Sequence, residues 1–314
     1  MTTKGHLFDS ITDQIANTPS KSQDSDISSQ DTPLKSIYEE RIVAFIDILG
    51  FRNIVINSSE HITASGQAII PEAQELGLAA RIYSALQINP ESYREAFQAI
   101  HHLDEEDFQS LDLRISTFSD SVILSSANTE QDFAYLIHCV SFMVRELIRN
   151  GFLTRGGIAL GEVYHLDRSK RQEIQGVERV FGPAFIKAYD LESRHAGHAR
   201  IILCNAMWQR VKSWTLDDRL TSCRYCGYIN KLIKRDSDGP AKIHTLYPYI
   251  SAWESEEDIK EELTEIKNRM ESVLSYYTES PKVFSKLARF AREYNEMIKG
   301  FGTDTLAISD YHLP

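Results

Sequence analysis

The run RIVAFIDIL, Arg41 to Leu49, is apolar at alternate and intervening positions alike, broken only by Asp47. Burial on both faces is the pattern of a central strand, and Gly50 marks its end before a polar loop. Pro71 to Ile88 and Glu91 to Leu103 show helical spacing and are divided by Asn89-Pro90, since proline disfavours helical geometry in the residue before it. LDLRISTF and VILSS alternate on either side of Ser119-Asp120 and predict a hairpin. Phe133, Leu136, Ile137, Val140, Met143, Val144, Leu147 and Ile148 recur at helical spacing, with Gly151 as a left-handed stop. LTRGGIALGEVYHL predicts a strand, Val180 to Glu192 a loop entering a helix, and ARIILC a further strand.

Strand, helix, helix, strand, hairpin strand, helix, strand is the order of an α+β, ferredoxin-like arrangement: an antiparallel sheet with helices packed on one face. Beyond Leu216 the pattern changes. A short β-like piece near KIHTLYPY precedes a helix with Ile259, Leu263, Ile266, Met270, Val273 and Leu274 on one stripe, with Ser255 and Asp258 resembling its capping box. A second helix starts at Ser280-Pro281 and ends near Gly300. At the other end, Pro19 to Pro33 has Ile27 as its only sizeable apolar residue and cannot offset the entropy of ordering. The chain therefore divides into a mobile N-terminal arm (1–37), with a short helix around Leu7 to Ile15 suited to docking on a partner, a sheet domain (38–215), and a C-terminal extension (216–314).

Charge narrows the function classes. The 314 residues carry a formal net charge of −11, so no global positive field gathers nucleic acid or anionic lipid. The most apolar stretch, Ile42 to Phe51, is short and interrupted by Asp47, which excludes a membrane span, and the N-terminus lacks the apolar core of a secretory signal. The expected location is cytoplasmic. Cys139, Cys204, Cys223 and Cys226 fit a reducing compartment, and a single CxxC supplies half of the ligands a zinc site needs, so that pair reads as surface thiols.

Asp47 is the most informative residue, because a carboxylate within an apolar strand is costly unless an interaction compensates it, and metal coordination would. Asp120 stands at the hairpin tip, where the fold would place it beside the first strand, so the two carboxylates could share divalent cations. The competing reading makes Asp120 an ordinary turn residue. Arg155 precedes Gly156-Gly157, where the backbone could approach a ligand closely and the guanidinium could take a phosphate, although an exposed strand arginine has the same appearance. Gly50 adds backbone N–H groups near the same place.

FIDILGF, FSDSV, RGGIALGEV and VFGPAFIKAYDLES occur together in order. From Arg41 to Cys204 the chain resembles the class III nucleotidyl cyclases, and within them the pyrimidine cyclases of Pycsar anti-phage systems. The resemblance implies a cyclase domain over 38–215 that works as a homodimer with sites at the interface. It implies two divalent cations, Mn²⁺ or Mg²⁺, held by Asp47, Asp120 and the backbone carbonyl of Ile48. It further implies a phosphate-cradling turn at Leu49, Gly50 and Phe51 and a phosphate contact from Arg155.

Departures from the family shape the substrate expectation. The asparagine and arginine of its last motif fall on Ile186 and Asp190, the purine-selecting lysine on Ser116, and the partnering acidic position on Arg179. A pyrimidine cyclase need not keep them. Arg114, on the face of Ser116 and Asp120 by the two-residue period, could contact base or phosphate, and Phe45, on the face of Asp47, could wall the base pocket or simply pack in the core. The expected activity is conversion of UTP, ahead of CTP, into a cyclic pyrimidine 3′,5′-monophosphate that acts on a separate cyclic-nucleotide-binding effector. An adenylate or guanylate cyclase, or a non-catalytic cyclase-like nucleotide sensor, are the alternatives.

Overall fold

The computed structural model describes residues 37–51, 90–166, 179–215, 224–244, 246, 256–299 and 304–309. The helices expected at Leu7 to Ile15 and Pro71 to Ile88, nearly all of the arm, Cys223 and Ser255 lie outside the described residues.

Strand β1 (Glu39–Ile48) is buried from Arg41 onward, as its two-sided apolar pattern requires. It runs antiparallel between β3 (Ser121–Ala127) and β4 (Thr154–His165), and β2 (Leu113–Phe118) pairs antiparallel with the far edge of β3. The order β4-β1-β3-β2, with every pair antiparallel, is the ferredoxin-like arrangement. Helices α1 (Pro90–His101) and α2 (Glu105–Gln109) fall between β1 and β2, and α3 (Glu130–Arg149) links β3 to β4.

Helix α3 begins at Glu130 because the Thr129 side chain accepts the Asp132 N–H at 3.1 Å. It stops at Gly151, whose φ of 83° lets Phe152 N–H reach the Leu147 carbonyl at 2.8 Å and its own N–H reach Ile148 at 2.8 Å. Its buried stripe packs on β3, and α1 packs on α3.

The short strand β5 (Val180–Phe181) pairs with β4, and helix α4 (Pro183–Asp190) continues into a π-helical turn, Leu191–His195. Helix α4 lies across β4 and β1 on the face that carries Phe45 and Gly157. The sheet then grows beyond β4: β6 (Ile201–Leu203) adds in parallel, followed by β8 (Ala241–Ile243) and β7 (Ile233–Arg235). Helices α5 (Asn205–Thr215) and α6 (Cys226–Leu232) fill the connection. The β-like piece of the C-terminal segment is thus a strand of the same sheet.

Helices α7 (Glu256–Tyr276) and α8 (Pro281–Lys299) follow, the second opening on the expected proline. They are tied down by buried polar contacts as well as by their apolar stripes. Glu262 of α7 pairs with Arg145 of α3 at 2.8 Å, Glu293 of α8 with Lys242 of β8 at 2.6 Å, and the Tyr294 hydroxyl donates to the Leu263 carbonyl at 2.8 Å. Among the described residues no helix is long and apolar enough to cross a membrane.

Candidate active site

Asp47 stands near the end of β1, level with Ser121 of β3 and Arg155 of β4. Only 8% of the residue is exposed, so its charge must be answered locally. The Ser121 hydroxyl donates to Oδ1 at 3.0 Å, and the Arg155 guanidinium lies 3.7 Å from Oδ2. The carboxylate is thereby held between two neighbouring strands, one supplying a hydroxyl and the other a cation.

Asp120 closes the two-residue turn between β2 and β3, after Ser119 in the left-handed region at φ 56°. Its backbone carbonyl accepts the Ile48 N–H at 3.2 Å, which stitches the hairpin tip to the residue following Asp47. The two aspartates expected to act together are therefore neighbours at one end of the sheet. Leu49 N–H donates to the Leu153 carbonyl at 2.7 Å, and Gly50, at φ 80°, turns the chain away toward Phe51. The Leu49 N–H of the expected phosphate cradle, together with that of Ile48, thus holds the turn in place.

Arg155 has a second anionic partner that the sequence reading did not single out. Glu192, 2% exposed in the π-helical turn, forms an ion pair with the Arg155 Nε. Its surroundings, Tyr189 to His195 (YDLESRH), are mostly polar, so nothing local set this glutamate apart, and its spacing from Arg155 has no local meaning. Lys286 of α8 lies within electrostatic reach of the same guanidinium: burial lowers its pKa, and the charges of Arg155 and Lys282 lower it further. The C-terminal segment therefore brings a cation toward this end of the sheet.

Other expected site residues have structural partners. Phe45 is 7% exposed and packs edge-on against Phe185 and Tyr189 of α4, with ring centroids 6.0 and 5.4 Å away. The Gly-Gly pair serves chain packing: a Cβ on Gly156 would stand 2.6 Å from the Phe45 carbonyl oxygen, and one on Gly157 would meet the backbone of α4. The close approach expected from a ligand is made by β1 and α4 instead.

Arg114 and Ser116 do share a face, where both meet His165. Arg114 donates to the His165 carbonyl at 2.7 Å and to Glu39 at 2.7 Å, and contacts Asp112 at 3.2 Å. Arg114 pairs with Ser125, four residues along β3 from the partner of Asp47, about 13 Å at the usual strand rise. The Ser116 hydroxyl bonds His165 Nε2 at 3.0 Å. Of the departed family positions, Ile186 is 52% exposed, Arg179 is exposed, and Asp190 pairs with Arg194 at 3.3 Å.

Asp47, Asp120 and the Ile48 carbonyl would offer oxygen donors alone, the kind hard divalent cations take, and the burial of Asp47 beside a turn suits such an ion. A different cluster, His198, Asp236 and Glu293, brings ligand atoms within 4.8 Å of one another. There Lys242 already bridges both carboxylates at 3.2 and 2.6 Å, and Arg200 holds Asp236 at 2.8 Å, so those anions are neutralised by the protein itself.

No family model and no curated protein matches the chain. Two solved structures of a bacterial light-regulated adenylyl cyclase align with it, each at 16% identity, with TM-scores of 0.33 and 0.32. The alignments cover 57% and 55% of this chain, which spans less than half of the length of those structures, 47% and 45%.

Proposed function

We propose that the chain is a nucleotidyl cyclase acting on a pyrimidine nucleoside triphosphate, UTP ahead of CTP. In the reaction the ribose 3′-hydroxyl gives up its proton to water as its oxygen bonds to the α-phosphorus, the bond from that phosphorus to the bridging oxygen of the β-phosphate breaks, and cyclic 3′,5′-monophosphate and pyrophosphate leave. The observation that carries this reading is the convergence of Asp47, Asp120 and Arg155 at one sheet end from three separate elements.

Asp47, Asp120 and the Ile48 carbonyl would hold Mn²⁺ or Mg²⁺. Bound there, two such cations supply a lowered pKa for the 3′-hydroxyl and charge for the departing pyrophosphate. The protein's own part is orientation. Asp47 is fixed by Ser121, the hairpin tip is fixed by Ile48, and Arg155 offers a planar guanidinium to phosphate oxygens. Ser116, bonded to His165 where purine cyclases carry a lysine, supports a pyrimidine substrate.

Phe118, Phe181 and Ile186 are exposed by 44, 41 and 52%, and such uncovered apolar side chains support a homodimer. A cytoplasmic enzyme whose product acts on a separate effector in anti-phage defence completes the reading. The test is incubation with all four NTPs and Mn²⁺, with products read by mass. Cyclic UMP or CMP is expected; cyclic AMP as the main product overturns the pyrimidine assignment, and no cyclic product from any NTP overturns the cyclase.

A further inference from the structure

Arg155 occupies an unusual position for a residue meant to bind phosphate. Its guanidinium faces Asp47 at 3.7 Å, the same carboxylate that would bind a cation, and it is also paired with Glu192. Both acids are nearly removed from water, at 8% and 2% exposure, while the Arg155 side chain keeps 25%. A guanidinium shared by two buried carboxylates at a sheet end has one face of attraction inward and an open side outward.

We infer that Arg155 is the internal counter-ion of Asp47, held in place by Glu192, and that a divalent cation and a polyphosphate therefore bind this site cooperatively. The inference rests on the cation-binding reading above. A cation arriving at Asp47 meets a like charge 3.7 Å from the same oxygen, so it binds against Arg155. A polyphosphate arriving at Arg155 meets a guanidinium already drawn toward carboxylates, so it binds against Asp47 and Glu192. When both ligands are present each relieves the other: the cation takes Asp47, and the phosphate oxygens take Arg155. By linkage the gain is equal in either order of binding. Glu192 is a positioning residue in this scheme, acting on the phosphate-facing guanidinium without touching either ligand.

Two single-ligand measurements on the full chain test it. The first is Mn²⁺ alone, followed by loss of the free-ion electron paramagnetic resonance signal. Arg155→Gln should bind Mn²⁺ about tenfold more tightly than wild type, Arg155→Lys should stay within about twofold, and Lys286→Gln, which removes a more distant cation, should change affinity less than Arg155→Gln. The second is inorganic tripolyphosphate in the presence of chelator, followed by calorimetry. Asp47→Asn should tighten its binding by about tenfold and Asp120→Asn by less, because of the two aspartates it is Asp47 that pairs with the guanidinium. Glu192→Gln should weaken Mn²⁺ binding by leaving Arg155 to Asp47 alone, an effect that Arg155→Gln in the same chain abolishes. Unchanged or weaker Mn²⁺ binding in Arg155→Gln, with the Lys variant well folded, overturns the inference while leaving the cation site standing. Mn²⁺ binding indifferent to Asp47→Asn overturns the cation site itself.

Discussion

Gly157 and Ala188 touch backbone to backbone: a Cβ on Gly157 would lie 2.3 Å from the Ala188 carbonyl oxygen and 2.5 Å from the Leu191 Cβ. Helix α4 and the π-helical turn that carries Glu192 can sit this low on β4 only because that residue has no side chain. Gly157→Ala should therefore cost about 3 kcal/mol or more, the upper end of overpacking effects, and shift Glu192 away from Arg155. Gly227→Ala, with nothing within 4 Å of the added methyl in helix α6, should be neutral or slightly stabilising. Thermal melts of the two variants check the contrast.

Asp47→Ala and Asp120→Ala should each lower cyclic-nucleotide formation by at least about a hundredfold, the scale of losing a preorganised electrostatic contact. Far-UV circular dichroism should be unchanged, because removing a buried carboxylate leaves Arg155 with its Glu192 partner. Turnover near wild type in either variant removes the site as drawn.

Among the described residues Arg41 is a nearly fully buried side chain, at 2% exposure, and it joins β1 to Asp112 at 2.5 and 3.1 Å and to Ser125 at 3.0 Å. Arg41→Met should cost about 1 to 3 kcal/mol, since it removes the buried guanidinium's bonds to Ser125 and Asp112, although Asp112 keeps 34% exposure and its contact with Arg114. Burial alone would raise the Asp112 pKa, but hydrogen bonds and charge from Arg41, then Arg114, hold it below the usual carboxylate range. A depressed carboxylate pKa contributes stability above the unfolded value, lost as pH falls through the folded one. Denaturant midpoints should accordingly fall below about pH 4 in wild type, and less so in Arg41→Met.

A separate acid response comes from histidines. Burial, followed by neighbouring cations, lowers the pKa of His101, His198 and His244 to about 4, and burial lowers His138 to about 3. The unfolded chain takes up these protons near pH 6.5 whereas the folded chain does not, so stability is full above that value and declines as pH falls toward 4. His101→Phe, beside Phe97 and Tyr225, should flatten the slope of denaturant midpoint between pH 6.5 and 4.5. An unaltered slope removes His101 from the effect.

Glu262 links the C-terminal segment to α3 through Arg145, with side chains 8 and 6% exposed. Glu262→Ala should destabilise by about 3 kcal/mol, because it removes one partner of a buried ion pair, whereas exposed Glu265→Ala should stay within about 0.5 kcal/mol. Chemical denaturation of the two variants measures the difference.

Local chemistry was enough to place much of this protein from sequence. The two-sided apolar pattern of Arg41 to Leu49 predicted a central strand, Gly151 predicted the end of α3, and Pro281 predicted the start of α8: the first because such a run must be buried on both faces, the others because glycine permits, and proline fixes, the local backbone. The element order predicted the antiparallel core and the neighbourhood of Asp47 and Asp120. Other matters rested on contacts between residues far apart in the chain. Gly156 and Gly157 admit strands and a helix where a ligand was expected, Phe45 meets α4 instead of an evident base pocket, and Arg114 joins a network with Glu39, Asp112 and His165. Glu192 finds Arg155 only because α4 crosses β4, and β8 becomes part of the sheet only by pairing with β6. Spacing along a chain records which way a side chain points within its own helix or strand. Which surface it then meets is set by packing, and packing depends on every element at once.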